Sequence, residues 1–178
     1  TYVMGGAIAR KLLKVTLGVE TNAYTCKIGK IWMKNQATRQ SLKSIYTNEV
    51  RCPEKAIAGR MKKSILDARK KGDSLGGVIE SITNNIPVGL GEPIFSSLES
   101  ELSKAIYSIP AVKGVEFGSG FSGSEKFGSQ NNDSYTFRNG KVITKTNNSG
   151  GILGGISNGM PIIMRVAFKP ASSIGKIQ

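Results

Sequence analysis

Apolar residues recur along this chain with two periods, and each change of period marks an element. Near the start, Ala7, Ile8, Leu12 and Leu13 fall on one side of a helix read over residues 4 to 14. The stretch KVTLGVETNAYTCKIGKIWM is then rich in β-branched and aromatic residues, with Gly18 and Gly29 expected at bends or bulges. A helical period returns from Pro53 to Lys71. Pro53 stands at its first turn, Ile57, Met61 and Ile65 recur every four residues, and Gly72 follows as a stop. DSLGGVIESIT next reads as a strand that NNIP ends.

The same order then repeats. PVGLGEP reads as a turn, and Pro93 opens a helix with Ile94, Leu98, Leu102 and Ile106 in one stripe. Pro110 closes that helix, and AVKGVEF is the next strand. YTFRNGKVITKT is a hairpin signal, because Asn139-Gly140 suits a type I′ turn between alternating residues. PIIMRVAFKP reads as a buried strand. Two successive helix-then-strand units predict an α+β class, helices laid across sheets, with mainly antiparallel strands after residue 110.

Composition narrows the chemistry. With 178 residues the chain can bury one substantial core or two small ones. No stretch has the unbroken apolar length of a membrane helix, and the amphipathic start lacks the features of a signal peptide. Cys26 and Cys52 make no disulfide framework and read as reduced, buried thiols of an intracellular protein. The chain has no histidine, which removes every Ser-His or Cys-His arrangement. An enzyme of this composition relies on a cofactor or on catalytic residues elsewhere.

The balance of 25 Lys+Arg against 12 Asp+Glu gives a net charge of +13, a field that suits an anionic partner. A basic, non-enzymatic nucleic-acid-binding module is one reading of that charge. It calls for aromatics interleaved with Lys and Arg on one face, and aromatic residues are only 7% with no such interleaving. A pocket for phosphates and carboxylates accounts for the sign equally well.

Among motifs, GSGFSG at 118 to 123 matches the glycine pattern of a dinucleotide fold but opens no helix and has no acidic residue at the required distance. Asp133 and Glu125 read as turn formers and caps rather than a catalytic pair. The stretch from Thr146 to Ser173 is different. Its first fourteen residues hold five glycines, and it then runs into an apolar strand ending in Lys169-Pro170. A hairpin loop is the plain reading. The alternative is a surface where backbone N–H groups, Asn147, Asn148, Ser149, the Lys169 ammonium and the Ser172 and Ser173 hydroxyls hold a flat, anionic ligand.

GDSLGGVIES, PVGLGEPIFSSLESELSKAIYSIPAVKGVEFGSGF, GSQNND and TNNSGGILGGISNGMPIIMRVAFKPASSI occur here in one order. In that order and spacing they resemble the chorismate synthase family, from about Val3 onward. The resemblance implies an α+β sandwich of helices between mainly antiparallel sheets, with residues 1–178 one domain from the central part of a longer chain. It implies a lyase of the shikimate pathway that expels phosphate from 5-enolpyruvylshikimate 3-phosphate by 1,4-anti elimination, giving chorismate. Reduced FMN is the implied cofactor, with NADPH in a member that reduces its own flavin. A homotetramer in the cytoplasm or a plastid is implied too, with no nucleic acid or membrane partner and no metal.

Carried over by motif, the FMN contacts are Pro110, Ala111, Gly154, Lys169, Pro170, Ala171, Ser172 and Ser173. Pro110 stands where asparagine occurs in some relatives, and Ala171 where threonine is common, so two side-chain contacts are lost and backbone contacts remain. Gly154 is expected to be small because the cofactor lies against it, while Gly155 and Gly159 serve turns at positive φ. The resemblance places no catalytic residue in this stretch: two histidines lie upstream and an Arg-His-Asp element lies downstream. It also implies an Arg-Ser-Ser loop of roughly twenty residues between Tyr2 and Val3, leaving either an internal fragment or a longer chain with segments missing.

Overall fold

The computed structural model describes residues 1–177; Gln178, the last residue of the expected domain, lies outside them. Helix α1 (Tyr2–Leu17) leads into strands β1 (Glu20–Ile28) and β2 (Ile31–Trp32). The single turn α2 (Arg39–Leu42) precedes helix α3 (Lys55–Lys70) and strand β3 (Gly77–Asn84). Helix α4 (Leu98–Tyr107), strand β4 (Val112–Phe117) and the short α5 (Gly128–Asn131) follow. Then come β5 (Tyr135–Arg138), β6 (Lys141–Thr144), β7 (Ile152–Leu153), β8 (Ile156–Ser157) and β9 (Ile162–Phe168).

Five strands form one sheet in the order β2-β1-β3-β9-β4, and β5-β6 and β7-β8 are two-stranded ribbons. The β1-β2, β5-β6 and β7-β8 pairs run antiparallel, and the class is α+β with mainly antiparallel sheets, as expected. Alternation explains the strands. On β9, Ile162, Met164 and Val166 are buried while their neighbours are only half-buried, the period of a sheet with one face in a core. Asn139 (φ +51°) and Gly140 (φ +74°) form the predicted tight turn between β5 and β6.

The residues group into two compact units. One comprises Thr1–Asn22, Ser81–Ala105 and Glu116–Met164; the other comprises Ala23–Glu80, Ile106–Val115 and the chain from Arg165 onward. In the first unit Val19, Ile82, Ile152 and Ile162 are buried. In the second, Met61 of α3 and Cys52 are fully buried, with Tyr24, Ile45 and Val166. Of the stripe Ile57, Met61 and Ile65 read from the sequence, α3 buries only Met61; Ile57 is half-buried and Ile65 exposed, and Ala58, next to Ile57, is the helix's other buried residue.

Several boundaries move, each for a local reason. α1 continues through Val15 and Thr16 because the Thr16 hydroxyl bonds back to the Leu12 carbonyl and Gly18, at φ +69°, supplies the left-handed cap. No residue of α1 is buried. The helix also runs unbroken through Tyr2 and Val3, with Gly5 N–H bonded to the Thr1 carbonyl at 3.0 Å. β3 begins at Gly77, leaving Asp73 to Gly76 as a loop. α4 begins at Leu98 rather than Pro93. Residues 92–96 form a small bridge, with Glu92 and Ser96 exchanging backbone bonds, and the Ser97 hydroxyl then accepts from Ser100 N–H as the helix cap. Ile94 therefore leaves the helical stripe and stands 84% exposed.

Candidate functional site

The end of β9 sets the geometry. Pro170 has no N–H and cannot extend a ladder, so the strand stops at Phe168 and the chain turns away as an irregular, exposed segment. β4 lies next to β9 in the sheet, and Pro110-Ala111 lead directly into it. Ala111 adopts φ +70°, a conformation costly to a residue with a Cβ, and it aims its carbonyl at the neighbouring strand end. The Lys169 N–H donates to that carbonyl at 2.9 Å. Pro110-Ala111 and Lys169-Pro170 are thereby joined, although Ala111 and Lys169 stand 58 positions apart in sequence.

Beyond that bond, Pro170, Ala171, Ser172 and Ser173 are exposed, and the Ser74 hydroxyl donates to the Ala171 carbonyl at 2.6 Å. Among the described residues, no hydrogen bond or ion pair engages the Lys169 ammonium or the Ser172 and Ser173 hydroxyls. One cation and two hydroxyls on a backbone pinned at both edges form a donor set suited to an anionic, oxygen-rich ligand. A cavity of about 430 Å³ lined by Thr25, Ile28, Ile65, Leu75 and Phe168 among others reaches the residue before Lys169 but does not include the segment itself.

Gly154 belongs to the other compact unit. It opens the two-residue turn between β7 and β8, where Leu153 pairs with Ile156. Its φ of +59° and that of Gly155, +85°, are the pair of positive values a type I′ turn requires. The division expected among these glycines does not hold: Gly154 needs positive φ as much as Gly155 and Gly159 do. What sets Gly154 apart is space. A Cβ there would meet nothing within 4 Å, whereas one on Gly155 would approach Ser97 Cβ to 2.8 Å and one on Gly159 would approach Val88 to 2.9 Å.

Asn147, Asn148 and Ser149 serve the fold of that unit rather than standing free. The Asn147 amide donates to the Pro161 carbonyl, and the backbone N–H groups of Asn148 and Ser149 both donate to the Asp133 carboxylate at 2.8 Å. The Thr146 hydroxyl donates to the same carboxylate at 2.6 Å. Burial pushes the Asp133 carboxyl upward, but the bonds from Thr146, Ser149 and Asn148 outweigh it and hold the group below the ordinary range. Asp133 organises a loop, as its sequence context predicted. GSGFSG likewise forms a 3-10 turn over Gly120–Glu125, and a Cβ at Gly118 would strike the Asn148 carbonyl at 2.0 Å.

One buried polar cluster was not anticipated. Glu80 of β3 is 6% exposed; the Tyr24 hydroxyl donates to one of its oxygens, and Arg165 Nη1 stands 3.5 Å from the other. The same hydroxyl accepts the Ala37 N–H at 3.0 Å. Burial, then the bond to Glu80, pushes the Tyr24 phenol well above its usual range. Burial and the Glu80 charge push the Cys26 thiol up to about 12, and burial raises the thiol of Cys52; both cysteines are free and buried. The signal was present in VIESIT, where a glutamate sits in register with buried Ile82.

Residues 1–178 match the family model described as chorismate synthase. The chain belongs to the chorismate synthase family. It is similar to the chorismate synthase of Dehalococcoides mccartyi strain BAV1, 51% identical over 177 residues, which cover 99% of this chain and 48% of that protein. It is also 51% identical over 180 residues to a chloroplastic chorismate synthase of Capnoides sempervirens, covering 99% of this chain and 40% of that one. A solved chain described as a crystal structure of chorismate synthase superposes with a TM-score of 0.87 at 35% identity, over 94% of this chain and 54% of the other. The chain spans about half the length of the curated relatives it matches. No described helix is long and apolar enough to cross a membrane.

Proposed function

We propose that this chain is the cofactor-binding portion of an enzyme that eliminates phosphate from 5-enolpyruvylshikimate 3-phosphate to form chorismate, with reduced FMN bound. The observation that carries the reading is the joined segment: Lys169 bonded to Ala111, followed by an exposed ammonium and two exposed hydroxyls. FMN brings a phosphate and a hydroxylated chain, which this donor set fits. Pro110, Ala111, Pro170 and Ala171 would contribute backbone and shape, and Lys169, Ser172 and Ser173 charge-assisted and neutral hydrogen bonds. Gly154 is proposed as a cofactor contact on the resemblance and on the open space over its backbone.

When bound, reduced FMN supplies electron density to a substrate losing phosphate. The protein's own part is orientation. Lys169 balances negative charge, and Ser172 and Ser173 fix the ligand's oxygens. No histidine occurs in these residues, so the acid and base steps are assigned to other parts of a full-length chain. The reading extends to a single domain over residues 1–178, to a homotetramer and to a cytoplasmic or plastid setting. NADPH enters only if the enzyme reduces its own flavin, and neither a nucleic acid nor a metal takes part.

Titration of the full-length protein with FMN, followed by a chorismate assay with reduced FMN and 5-enolpyruvylshikimate 3-phosphate, tests the reading. Saturable flavin binding and phosphate release are expected. Retention on single-stranded DNA at moderate salt with no flavin binding would favour the basic-module reading instead.

A further inference from the structure

Four of the five residues from Gly72 to Gly76 touch the segment that follows β9. The Gly72 carbonyl accepts the Gly175 N–H at 2.9 Å. The Asp73 carboxylate pairs with the Lys176 ammonium, which holds the Asp73 carboxyl below its ordinary range. Ser74 donates its hydroxyl to the Ala171 carbonyl. Gly76 lies so close to the far chain that a Cβ on it would stand 2.5 Å from the Phe168 carbonyl and 3.1 Å from the Pro170 ring. Gly76 has no positive φ, so close approach alone requires glycine there.

These contacts hold a segment that has no regular structure of its own. Lys169 to Ser173 belong to no strand or helix, and their side chains are exposed. Left free, such a stretch samples many backbone states, and a ligand would have to order it on binding. The Lys169–Ala111 bond fixes only its first residue. Ser74 fixes the middle, and Gly72 and Asp73 fix the far end at Gly175 and Lys176.

We propose that the loop Gly72–Gly76 is the positioning element of the ligand-binding segment, setting the backbone of Lys169 to Ser173 before the cofactor arrives. It rests on the assignment of that segment to FMN. Ser74, Asp73 and Gly76 act through the segment and touch no ligand themselves. The loop opens a sequence block, GDSLGG, that neither the core nor the proposed cofactor contacts otherwise explain.

The test uses the full chain, with amide hydrogen exchange over residues 170–176 in the absence of FMN and FMN affinity by flavin fluorescence. Ser74→Ala and Asp73→Lys are expected to speed exchange in that segment and to weaken FMN binding by about threefold to tenfold. Thermal melts should show both variants folded. Ser74→Thr should restore both readouts, and the exchanged pair Asp73→Lys with Lys176→Asp should recover what Asp73→Lys loses. Lys169→Ala separates the two ideas. If Lys169→Ala weakens FMN binding while the loop variants leave exchange or affinity unchanged, the positioning role is overturned and the cofactor assignment stands. If Lys169→Ala leaves FMN binding unchanged, the cofactor assignment itself fails, and the positioning proposal with it.

Discussion

The Lys169 N–H reaches the Ala111 carbonyl across 2.9 Å, and Ala111 makes that bond from a left-handed conformation at φ +70°. An L-residue pays roughly 1–2 kcal/mol for that conformation. Ala111→Gly should therefore keep the bond and stabilise the protein by up to about 1 kcal/mol, part of the relief being offset by the freer unfolded chain. Ala111→Val should destabilise it by about 1–2 kcal/mol, since a β-branched residue is a poor fit to positive φ. Urea midpoints of the two variants should move in opposite directions.

Gly154 combines a demand on the backbone with empty space over it, and one substitution separates them. Asparagine tolerates positive φ in a type I′ turn, so Gly154→Asn should cost less than about 1 kcal/mol of stability. Its side chain would fill the open space, and FMN affinity should fall at least tenfold. Gly155→Ala should instead lower the melting temperature, because its Cβ would meet Ser97 at 2.8 Å. A Gly154→Asn variant that binds flavin normally would leave the glycine with a turn role alone.

Much of this was legible in the chain. The period of Ile57 and Met61 gave α3, alternation gave β9, and Asn139-Gly140 gave the β5-β6 turn, because each is a local rule acting on neighbouring residues. Two kinds of feature escaped. Helix α4 starts at Leu98 because a remote backbone bond from Leu98 N–H to Gly155 and the Ser97 cap decide it, not the proline nearby. The apolar side of α1 is legible as a pattern, yet it buries nothing among the described residues. For the candidate site, the Lys-Pro signal marked the strand end, but the bond to Ala111 depends on the adjacency of β4 and β9, which is a property of topology.

Tyr24→Phe should be destabilising out of proportion to one lost oxygen. The hydroxyl both accepts from Ala37 and donates to Glu80, so its removal strands a backbone donor and a buried carboxylate oxygen. A loss of about 1–3 kcal/mol is expected from urea unfolding. An unchanged midpoint would show that water replaces both bonds.

Asp133 predicts an acid limb to stability. Its folded carboxyl titrates below the unfolded value, so its contribution is fully present above roughly pH 4 and is lost as pH falls through the folded value. Asp133→Asn, which lacks the charge, should be less stable than the parent at pH 7. The gap should narrow as unfolding is measured from pH 4 downward. A constant gap would mean that the carboxylate's charge contributes nothing to holding Asn148 and Ser149.

Lys169 carries the charge of the proposed cofactor site. Its ammonium is exposed on a backbone fixed by Ala111, so Lys169→Ala should leave that backbone bond and the melting temperature in place while removing one charge-assisted contact. Such a contact contributes about 1.5–3 kcal/mol, a loss of roughly ten- to a hundredfold in affinity. Fluorescence titration of FMN into the full chain, parent against Lys169→Ala, measures it directly. A dissociation constant raised by that factor is the predicted result; an unchanged constant in a folded variant would contradict the assignment of this segment to the cofactor.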